Sequence, residues 1–555
     1  MLLAALTVVA VSASAQKRTR PQTKATETGM AKFEFFEYTG QDYYYEQVPL
    51  TGASQFYNPI LPGWFSDPSI CRVGDDYWLC TSTFGYYPGV PLYHSRDLVS
   101  WELVGNILNR PSQLPYLKGQ SIDKGGIYAP AIRYNPSNQT YYMITTDVGK
   151  GHFYVTAKDP RGEWSDPVWL PEIGGIDPSF FFDDDGQAYI VHKEDVEGKP
   201  KWSNFRSIRF IRFDVEKGQT FGPDVPLLEE GVGPDEQLAR DEGPHLYKIR
   251  GKYYLLCAEG GTGWAHSEVC YQADNVFGPY RRWPRNPMLT QRLRKAGGSY
   301  SVTCTGHVDM IDTPNGEWWA VFLGCRPWNN DTEQLGRETF MMPVKWSKDG
   351  FPYITMTRDS IPLIQERPGT VRQQQTAYGN FTWRDDFKGK ELRPEWLSLR
   401  GPLPASCKQK DGLWLSPLSV SSRSMDTPAY LGRRVQHHQF TAETRLNFLP
   451  QAGEAAGMLI YKNEGHQYFL CVTTDGIALR RIHKRGYDTL AESSLTATSS
   501  PIDMKVVCRG STYDFYYRLE NADWQLLKDD VDIRYVSSAM GGYTGTTIGL
   551  YTERE

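Results

Sequence analysis

The sequence lacks the features of a disulfide-stabilised or zinc-binding protein. Its 555 residues contain nine cysteines, an odd number, and no two of them form a C-x-x-C pair. No group of cysteines and histidines has the spacing of a zinc site, so we expect no bound zinc. Most of the cysteines lie in apolar strand-like segments, which predicts buried free thiols at Cys80, Cys257, Cys270, Cys471 and Cys508.

A surplus of positive charge is also absent. The chain has 60 Lys and Arg against 65 Asp and Glu, a net charge of −5, and no basic stripe, which excludes nucleic acid as an expected partner. No stretch after residue 15 is long and apolar enough to span a membrane. We therefore expect a protein without a membrane span.

Residues 1–15 are the exception to the scarcity of long apolar runs. They end in Ala13-Ser14-Ala15, the A-x-A pattern of a signal-peptidase site, although a basic segment at the start is missing. No cysteine follows the expected cleavage point, which argues against a lipid anchor there. The pattern predicts a signal peptide and a secreted or periplasmic protein.

Aromatic residues, in contrast, are plentiful. They make up 13% of the chain, with 16 Trp and 34 Tyr. Such a surplus lines carbohydrate sites in some proteins and packs between sheets in others, and composition alone leaves both open.

A turn followed by an aromatic-centred strand occurs five times. The shared aromatic position recurs at intervals of 64, 47, 65 and 65 residues, at Trp78, Tyr142, Tyr189, Tyr254 and Trp319. This is the scale of one four-stranded blade per repeat with insertions. The repeat predicts an all-β fold with a five-bladed β-propeller.

A polar or proline-marked position stands 11 to 13 residues before each of these aromatics: Asp67, Ala129 (followed by Pro130), Asp177, Glu242 and His307. Equivalent positions of successive blades lie on a ring around the propeller axis, so three carboxylates and an imidazole are expected to converge. An Asp before a Pro is commonly only a turn former, but two such residues at one repeat phase favour an active site.

The rest of the chain divides into segments. Residues 16–57 form an N-terminal extension, 58–364 the propeller, 365–380 a linker with Pro368-Gly369, and 381–555 a β-sandwich of short alternating strands. Within the extension, residues 33–45 are rich in aromatics and acids but show no clean period. We expect them either to pack across a propeller face or to form a mobile segment that meets substrate.

Several short motifs give the chain a specific resemblance. It resembles glycoside hydrolase family 43, in particular the β-xylosidases and α-L-arabinofuranosidases with a C-terminal concanavalin-like sandwich. The resemblance covers nearly all of residues 58–555, in Ser66-Asp67-Pro68-Ser69, Gly126-Ile127-Tyr128-Ala129-Pro130, Ile176-Asp177-Pro178-Ser179, Glu242-Gly243-Pro244-His245 and Gly336-Arg337-Glu338-Thr339-Phe340. Relatives usually have Pro at Ser66 and Trp at Tyr128, so the sugar-binding wall differs here.

The resemblance implies an inverting, exo-acting glycosidase with three acidic residues. Asp67 would be the general base, Glu242 the general acid, and Asp177 the acid that orients Glu242 and raises its pKa. It also implies an oligosaccharide or polysaccharide substrate and no required cofactor, and it leaves open a calcium ion in the propeller channel.

The resemblance further implies substrate-binding residues. Trp64, Phe84 and Tyr128 would contribute to the wall of the sugar site. Arg337 would reach substrate hydroxyls, or form a structural ion pair with Glu338 or another acid. His307 could hydrogen-bond inside the channel, hold a water around a central cation, or touch the sugar.

Two other functions compete with this interpretation. Fructan-cleaving enzymes also join a five-bladed propeller to a sandwich, but their Asn-Asp-Pro-Asn type of nucleophile motif is absent. A non-catalytic carbohydrate-binding propeller is the other alternative, and the presence of all three acids argues against it.

Overall fold

The fold is nearly all β. The computed structural model describes residues 29–194, 207–228, 241–292, 300–329, 332–356, 359–369, 379–495, 501–520 and 522–555. The predicted signal peptide and part of the predicted linker, residues 370–378, lie outside them. Within these ranges the helical segments are short: Tyr43–Gln47, and the 3₁₀ turns Pro111–Gln113, Ile533–Val536 and Ser538–Met540. None of them is long or apolar enough to cross a membrane.

Five successive antiparallel sheets follow one another along the first two thirds of the described chain. The first contains Ser69–Val73, Asp76–Cys80, Gly89–Ser95 and Glu102–Leu108, and the second Ile127–Asn135, Thr140–Asp147, Gly151–Ala157 and Val168–Trp169. The third contains Ile176–Phe182, Ala188–Glu194, Ser207–Asp214 and Gln219–Leu228. The fourth contains Glu242–Ile249, Lys252–Glu259, Ser267–Ala273, Arg281–Arg282 and Leu289–Thr290, and the fifth Thr303–Asp312, Trp318–Cys325 and Glu338–Pro343.

The first strand of each sheet is the inner strand of a propeller. Each inner strand contacts that of the next sheet, and the inner strand of the fifth sheet contacts that of the first, so the ring closes. Among the described residues, three two-stranded pairs belong neither to these five sheets nor to the sandwich: Gln55–Tyr57 with Ile364–Glu366, Lys345–Trp346 with Pro352–Tyr353, and Tyr86–Tyr87 with Ser398–Leu399.

The repeated aromatic residues pack between the sheets. Each belongs to a different apolar cluster at the junction of two neighbouring sheets, and each is at least nine-tenths buried: Trp78, Tyr142, Tyr189, Tyr254 and Trp319. Their spacing along the sequence therefore reflects one large planar side chain per sheet junction.

Two larger sheets form the β-sandwich. One contains Lys408–Gln409, Leu413–Leu415, Ala31–Gly40, Gln439–Asn447, Ile502–Arg509, Thr512–Leu519 and Gln525–Asp532, with Thr382–Asp385 also paired to Ala31–Gly40. The other contains Ala429–Arg434, Thr547–Arg554, Glu454–Asn463, His466–Thr473, Gly476–His483 and Gly486–Ser494. Apolar residues of both sheets share one core.

The aromatic N-terminal segment, residues 33–45, divides between the two domains. Its end packs on the propeller, as one of the two expectations had it: Tyr43 contacts Trp328, and Tyr44 contacts Tyr300 and Arg326.

Its first part joins the sandwich. Ala31–Gly40 is an interior strand of the first sandwich sheet, with Phe33, Phe36 and Tyr38 fully buried in its core. A register shift between Phe33 and Phe36 interrupts the alternation of buried and exposed residues. The sandwich therefore includes strands from both sides of the propeller in sequence.

Candidate active site

Seven of the eight predicted site residues line one cavity at an end of the propeller axis. The cavity measures about 80 Å³, well below the ~300–1,000 Å³ of common small-molecule pockets. The predicted residues in its lining are Asp67, Phe84, Tyr128, Asp177, Glu242, His307 and Arg337, and Ala129, Ile176, Thr262 and Tyr543 complete it.

A shared backbone irregularity turns the ring residues toward the axis. Left-handed φ values occur at Asp67 (55°), Ala129 (34°), Asp177 (57°) and His307 (57°), a conformation that non-glycine residues seldom adopt. The inner strands of the second to fifth sheets also shift register near these positions. Such bulges redirect a side chain out of the alternating pattern, which explains how residues of strands reach a common centre.

Asp67 is held as a carboxylate. Its Oδ2 accepts a hydrogen bond from the Ser82 hydroxyl (2.5 Å), and its Oδ1 accepts one from Arg337 Nη1 (3.1 Å). Burial by itself would raise the pKa of Asp67, but Arg337, His307 and the Ser82 hydroxyl outweigh it and lower the pKa below its usual value. An ionised, oriented carboxylate of this kind can accept a proton from water.

Glu242 has the opposite electrostatic environment. Burial, and then the negative charge of Asp177, raise the pKa of Glu242 to about 6. Asp177 is fixed beside it, because its Oδ2 accepts a hydrogen bond from the backbone N–H of Gly243 (3.1 Å). Glu242 can therefore carry a proton near neutral pH and donate it.

His307 lies against the same acids as a cation. Its Nε2 is 3.9 Å from Asp177 Oδ2. Burial lowers the pKa of His307, but Asp177 and Asp67 outweigh burial and raise it to about 9. Gly243 makes this approach possible, because a Cβ there would lie only 2.7 Å from His307 Nε2.

Three aromatic rings form one wall of the cavity. The Phe84 and Tyr128 rings are 5.3 Å apart in an edge-on arrangement, and the Phe84 and Tyr543 rings stack at 6.1 Å. Tyr543 comes from the sandwich, and its carbonyl lies 3.5 Å from Arg337 Nη2. Sequence reasoning missed Tyr543, since it lies far from the repeats and only the docking of the sandwich brings it to the site.

Trp64 is the predicted site residue that does not reach the cavity, which corrects its assignment to the sugar-binding wall. Its side chain is fully buried behind that wall, 4.8 Å from the ring of Tyr86, with the guanidinium of Arg434 4.1 Å from its centre. The sandwich covers the loop before Asp67, so a tryptophan next to a catalytic motif serves in packing there.

A second polar layer lies a few residues further along the inner strands. Arg133 donates to both carboxylate oxygens of Asp309 (2.8 and 2.9 Å), and Asp309 also accepts from Ser69 Oγ (2.8 Å) and Tyr247 OH (2.5 Å). Arg133 Nη2 also donates to His245 Nδ1 (2.9 Å). In this layer the Arg133 guanidinium already neutralises the buried carboxylate of Asp309.

Two sequence families match the chain. "Glycosyl hydrolases family 43" matches residues 56–352, which contain the five sheets and the three acids. "Beta xylosidase C-terminal Concanavalin A-like domain" matches residues 384–555, which contain most of the sandwich.

Individual relatives match along most of their length. A non-reducing end alpha-L-arabinofuranosidase of Bacteroides ovatus is 37% identical over 89% of this chain and 91% of its own. A xylosidase/arabinosidase of Butyrivibrio fibrisolvens is 35% identical over 89% of this chain and 95% of its own. Among solved structures, a GH43_12 protein from a capybara gut metagenome superposes with a TM-score of 0.87 at 38% identity, covering 95% of this chain and 100% of that one.

Proposed function

Because the chain belongs to glycosyl hydrolases family 43, we propose that it removes single β-xylosyl or α-L-arabinofuranosyl units from the ends of plant cell-wall oligo- and polysaccharides, with inversion of configuration. It is a glycoside hydrolase with a β-propeller and a C-terminal β-sandwich. The observation that carries the proposal is one small cavity with two carboxyl groups whose pKa values are shifted in opposite directions.

In the proposed reaction, Asp67 and Glu242 act on opposite sides of the anomeric carbon. Asp67 takes a proton from a water molecule as the water oxygen bonds to that carbon. Glu242 gives its proton to the glycosidic oxygen as the C–O bond breaks, which releases the shortened chain as an alcohol. Solvent then restores the proton on Glu242 and removes the one on Asp67.

The remaining groups bind and orient. Arg337 fixes Asp67 and keeps Nε, which has no partner among the described residues, for a substrate oxygen. Both steps of proton transfer are assigned to carboxyl groups, so the proposal needs no metal ion or organic cofactor. The small volume of the cavity favours one terminal sugar over a chain that runs through a groove.

Substrate choice is proposed to depend on the aromatic wall. Phe84, Tyr128 and Tyr543 present ring faces and edges to the sugar, and one of them belongs to the sandwich. The relatives named above include both arabinofuranosidase and xylosidase/arabinosidase, which supports activity on either pentose.

Export is a further part of the proposal. The apolar residues 1–15 with their A-x-A ending support a secreted or periplasmic enzyme, where cell-wall polysaccharides are accessible. The nine cysteines of the structure are free thiols.

The decisive experiment follows the first-formed sugar by proton NMR. Xylo-oligosaccharides and arabinan fragments are incubated with the enzyme, and the anomeric signal is recorded before mutarotation. We expect release of single pentoses with inverted configuration. Retained configuration would disprove the mechanism, and release of internal fragments would disprove exo action. A protein that binds these sugars without releasing pentose would instead support the non-catalytic alternative.

A further inference from the structure

A short segment of the sandwich carries Tyr543 into the catalytic cavity. This Tyr543 segment, residues 541–546, connects the 3₁₀ turn Ser538–Met540 to the strand Thr547–Arg554. The Tyr543 ring lines the cavity, 5.7 Å from the ring of Tyr128, which belongs to the propeller. The contacts that fix this segment therefore fix one face of the sugar site.

Asp123 of the propeller holds the Tyr543 segment on one side. Its backbone carbonyl accepts a hydrogen bond from the N–H of Tyr543 (2.9 Å). Its carboxylate is buried against Gly542, where an added Cβ would lie only 2.0 Å from Asp123 Oδ2. The φ of Gly542 is 80°, so the segment needs a glycine here both for its conformation and for this close approach. The backbone on either side of the Tyr543 amide thus rests directly on Asp123.

Lys462 holds the same segment from the sandwich side. It lies near the end of the strand Glu454–Asn463, and its Nζ donates to the carbonyl of Thr544 (2.5 Å). This is the only hydrogen bond that its ammonium group forms within the described part of the chain. The same Nζ lies 3.9 Å from Asp123 Oδ2. Lys462 therefore connects the Tyr543 segment to the acid on which that segment rests, across the boundary between the domains.

The charge of Lys462 is costly at this position. The side chain is fully buried, and burial lowers its pKa to about 8, although the charges of Asp123 and Glu333 oppose this. Asp123 Oδ2 also accepts from Asn463 Nδ2 (3.0 Å), so the carboxylate keeps a hydrogen bond without the lysine. A methionine of similar length would fill the space without the cost of burying an ammonium group. What a methionine could not do is donate to the Thr544 carbonyl.

We propose that Lys462 is a positioning residue of the active site, which fixes Tyr543 at the wall of the sugar site through the carbonyl of Thr544. It touches no substrate itself, and it acts together with Asp123 of the propeller. The inference rests on the proposed hydrolytic function, because it assigns a residue that shapes the same site. Docking of the two domains and binding of the sugar are thereby linked through one buried side chain.

The first test compares amide hydrogen exchange in Lys462→Met and in the unaltered protein by mass spectrometry. The N–H of Tyr543 should exchange faster in the variant, because the segment is then held less firmly on the Asp123 carbonyl. The strand Glu454–Asn463 should keep its protection. Unchanged exchange in the Tyr543 segment, or equally faster exchange throughout the sandwich, would overturn the proposal. This test needs no activity, so it still decides if the protein releases no pentose and the proposed function fails.

The second test is a double-mutant cycle of Lys462→Met and Tyr543→Ala, with KM and kcat measured on an aryl pentoside. Lys462→Met should raise KM about 3- to 10-fold, as expected for a misplaced aromatic contact. It should lower kcat less, because Asp67 and Glu242 keep their contacts. In the Tyr543→Ala background the same change should have almost no further effect. Additive effects, or a loss confined to kcat, would show that Lys462 does not act through Tyr543 and would overturn the proposal.

Arg433→Met is the matched control for both tests. Arg433 is another buried cation of the sandwich, but its guanidinium lies between the rings of Tyr38 and Trp383 and makes no hydrogen bond to the Tyr543 segment among the described residues. The control should leave KM and the exchange of that segment unchanged. An equal rise of KM in the control would assign the effect to general loosening of the sandwich and overturn the proposal. If Lys462→Met fails to fold, its combination with Asp123→Asn, which leaves no unpaired buried charge, replaces it in both tests.

Discussion

Two layers of polar residues lie on the propeller axis and use similar residue types for different functions. In the layer of Arg133 and Asp309, the carboxylate oxygens accept hydrogen bonds from the guanidinium, a serine and a tyrosine. In the catalytic layer, Arg337 Nε and His307 Nδ1 are buried without a partner among the described residues. The first layer is closed within the protein, and the second keeps capacity for a substrate.

The difference appears equally in the pKa values. In the closed layer burial opposes ionisation of Asp309, but Arg133 and the hydrogen bond from Tyr247 outweigh it and hold its pKa far below the usual range. In the catalytic layer the pKa of Asp67 is lowered while that of Glu242 is raised. When all the polar groups of a layer are paired, as around Asp309, the layer stabilises the fold. When the pairing is uneven, as between Asp67 and Glu242, one carboxyl group stays ionised as a base and the other keeps a proton as an acid.

The largest effect is expected from Asp67→Asn, which keeps the size of the side chain but removes the base. Activity should fall by at least ~10²- to 10⁴-fold on every substrate, because water activation is needed whatever the leaving group. Steady-state kinetics on oligosaccharides and on activated aryl pentosides would measure this. Near-normal turnover of the aryl substrate would show that Asp67 is not the base.

Arg133→Met should disrupt the closed layer of Arg133 and Asp309. It should lower the stability of the fold more than it lowers catalytic activity. Asp309 is fully buried, so loss of its guanidinium partner should destabilise the fold by ~3–5 kcal/mol. The low pKa of Asp309 stabilises the native state above the usual Asp pKa, about pH 4, and this stability is lost as the pH falls. Denaturant titration would measure the loss.

A double variant provides the control for this layer. Arg133→Met combined with Asp309→Asn should be more stable than the sum of the two single changes predicts, because no charge is left unpaired. Simple additivity would show that the two residues do not act as a pair.

Glu242→Ala should give an effect that depends on the substrate. Oligosaccharides need their leaving oxygen protonated and should lose ~10²- to 10⁴-fold in rate. Aryl pentosides with a good leaving group need less help and should retain much more activity. Equal losses on both substrates, measured as kcat/KM, would contradict the role of Glu242 as the acid.

The smallest effect is a shift in the pH profile. Glu242 must be protonated, so the activity of the free enzyme should fall as the pH rises through about 6. Asp177→Asn removes a negative charge that raises this pKa, and the alkaline limb of kcat/KM should move to lower pH. Asp185→Asn, at an exposed turn of the same sheet, is the matched control and should leave the limb in place. An unmoved limb in Asp177→Asn would remove Asp177 from its role.

The parts of the fold that recur at regular spacing could be predicted from the sequence. Each of the five aromatic strands is the second strand of a sheet, and the residues 11 to 13 positions earlier lie on or just before the inner strands. The prediction from this periodicity succeeds because each junction between neighbouring sheets is filled by one large planar side chain. The convergence of Asp67, Asp177 and Glu242 follows from that repeat.

What the sequence could not predict depends on contacts between the two domains. Docking of the sandwich brings Tyr543, for which the sequence predicted no role, into the cavity wall. It also buries Trp64, which was expected in that wall, behind it. The strand Ala31–Gly40 was not recognised as a strand, because a bulge between Phe33 and Phe36 breaks its alternating pattern.

That same strand has a consequence for synthesis on the ribosome. Phe35 and Thr444, whose backbone and side chain are hydrogen-bonded, are 409 residues apart, with the whole propeller between them. At ~5–20 residues per second, the strand is exposed for tens of seconds before its neighbours emerge. An apolar segment that waits so long for its partners is a natural client for a chaperone, and cutting the gene between the two domains would leave it without partners.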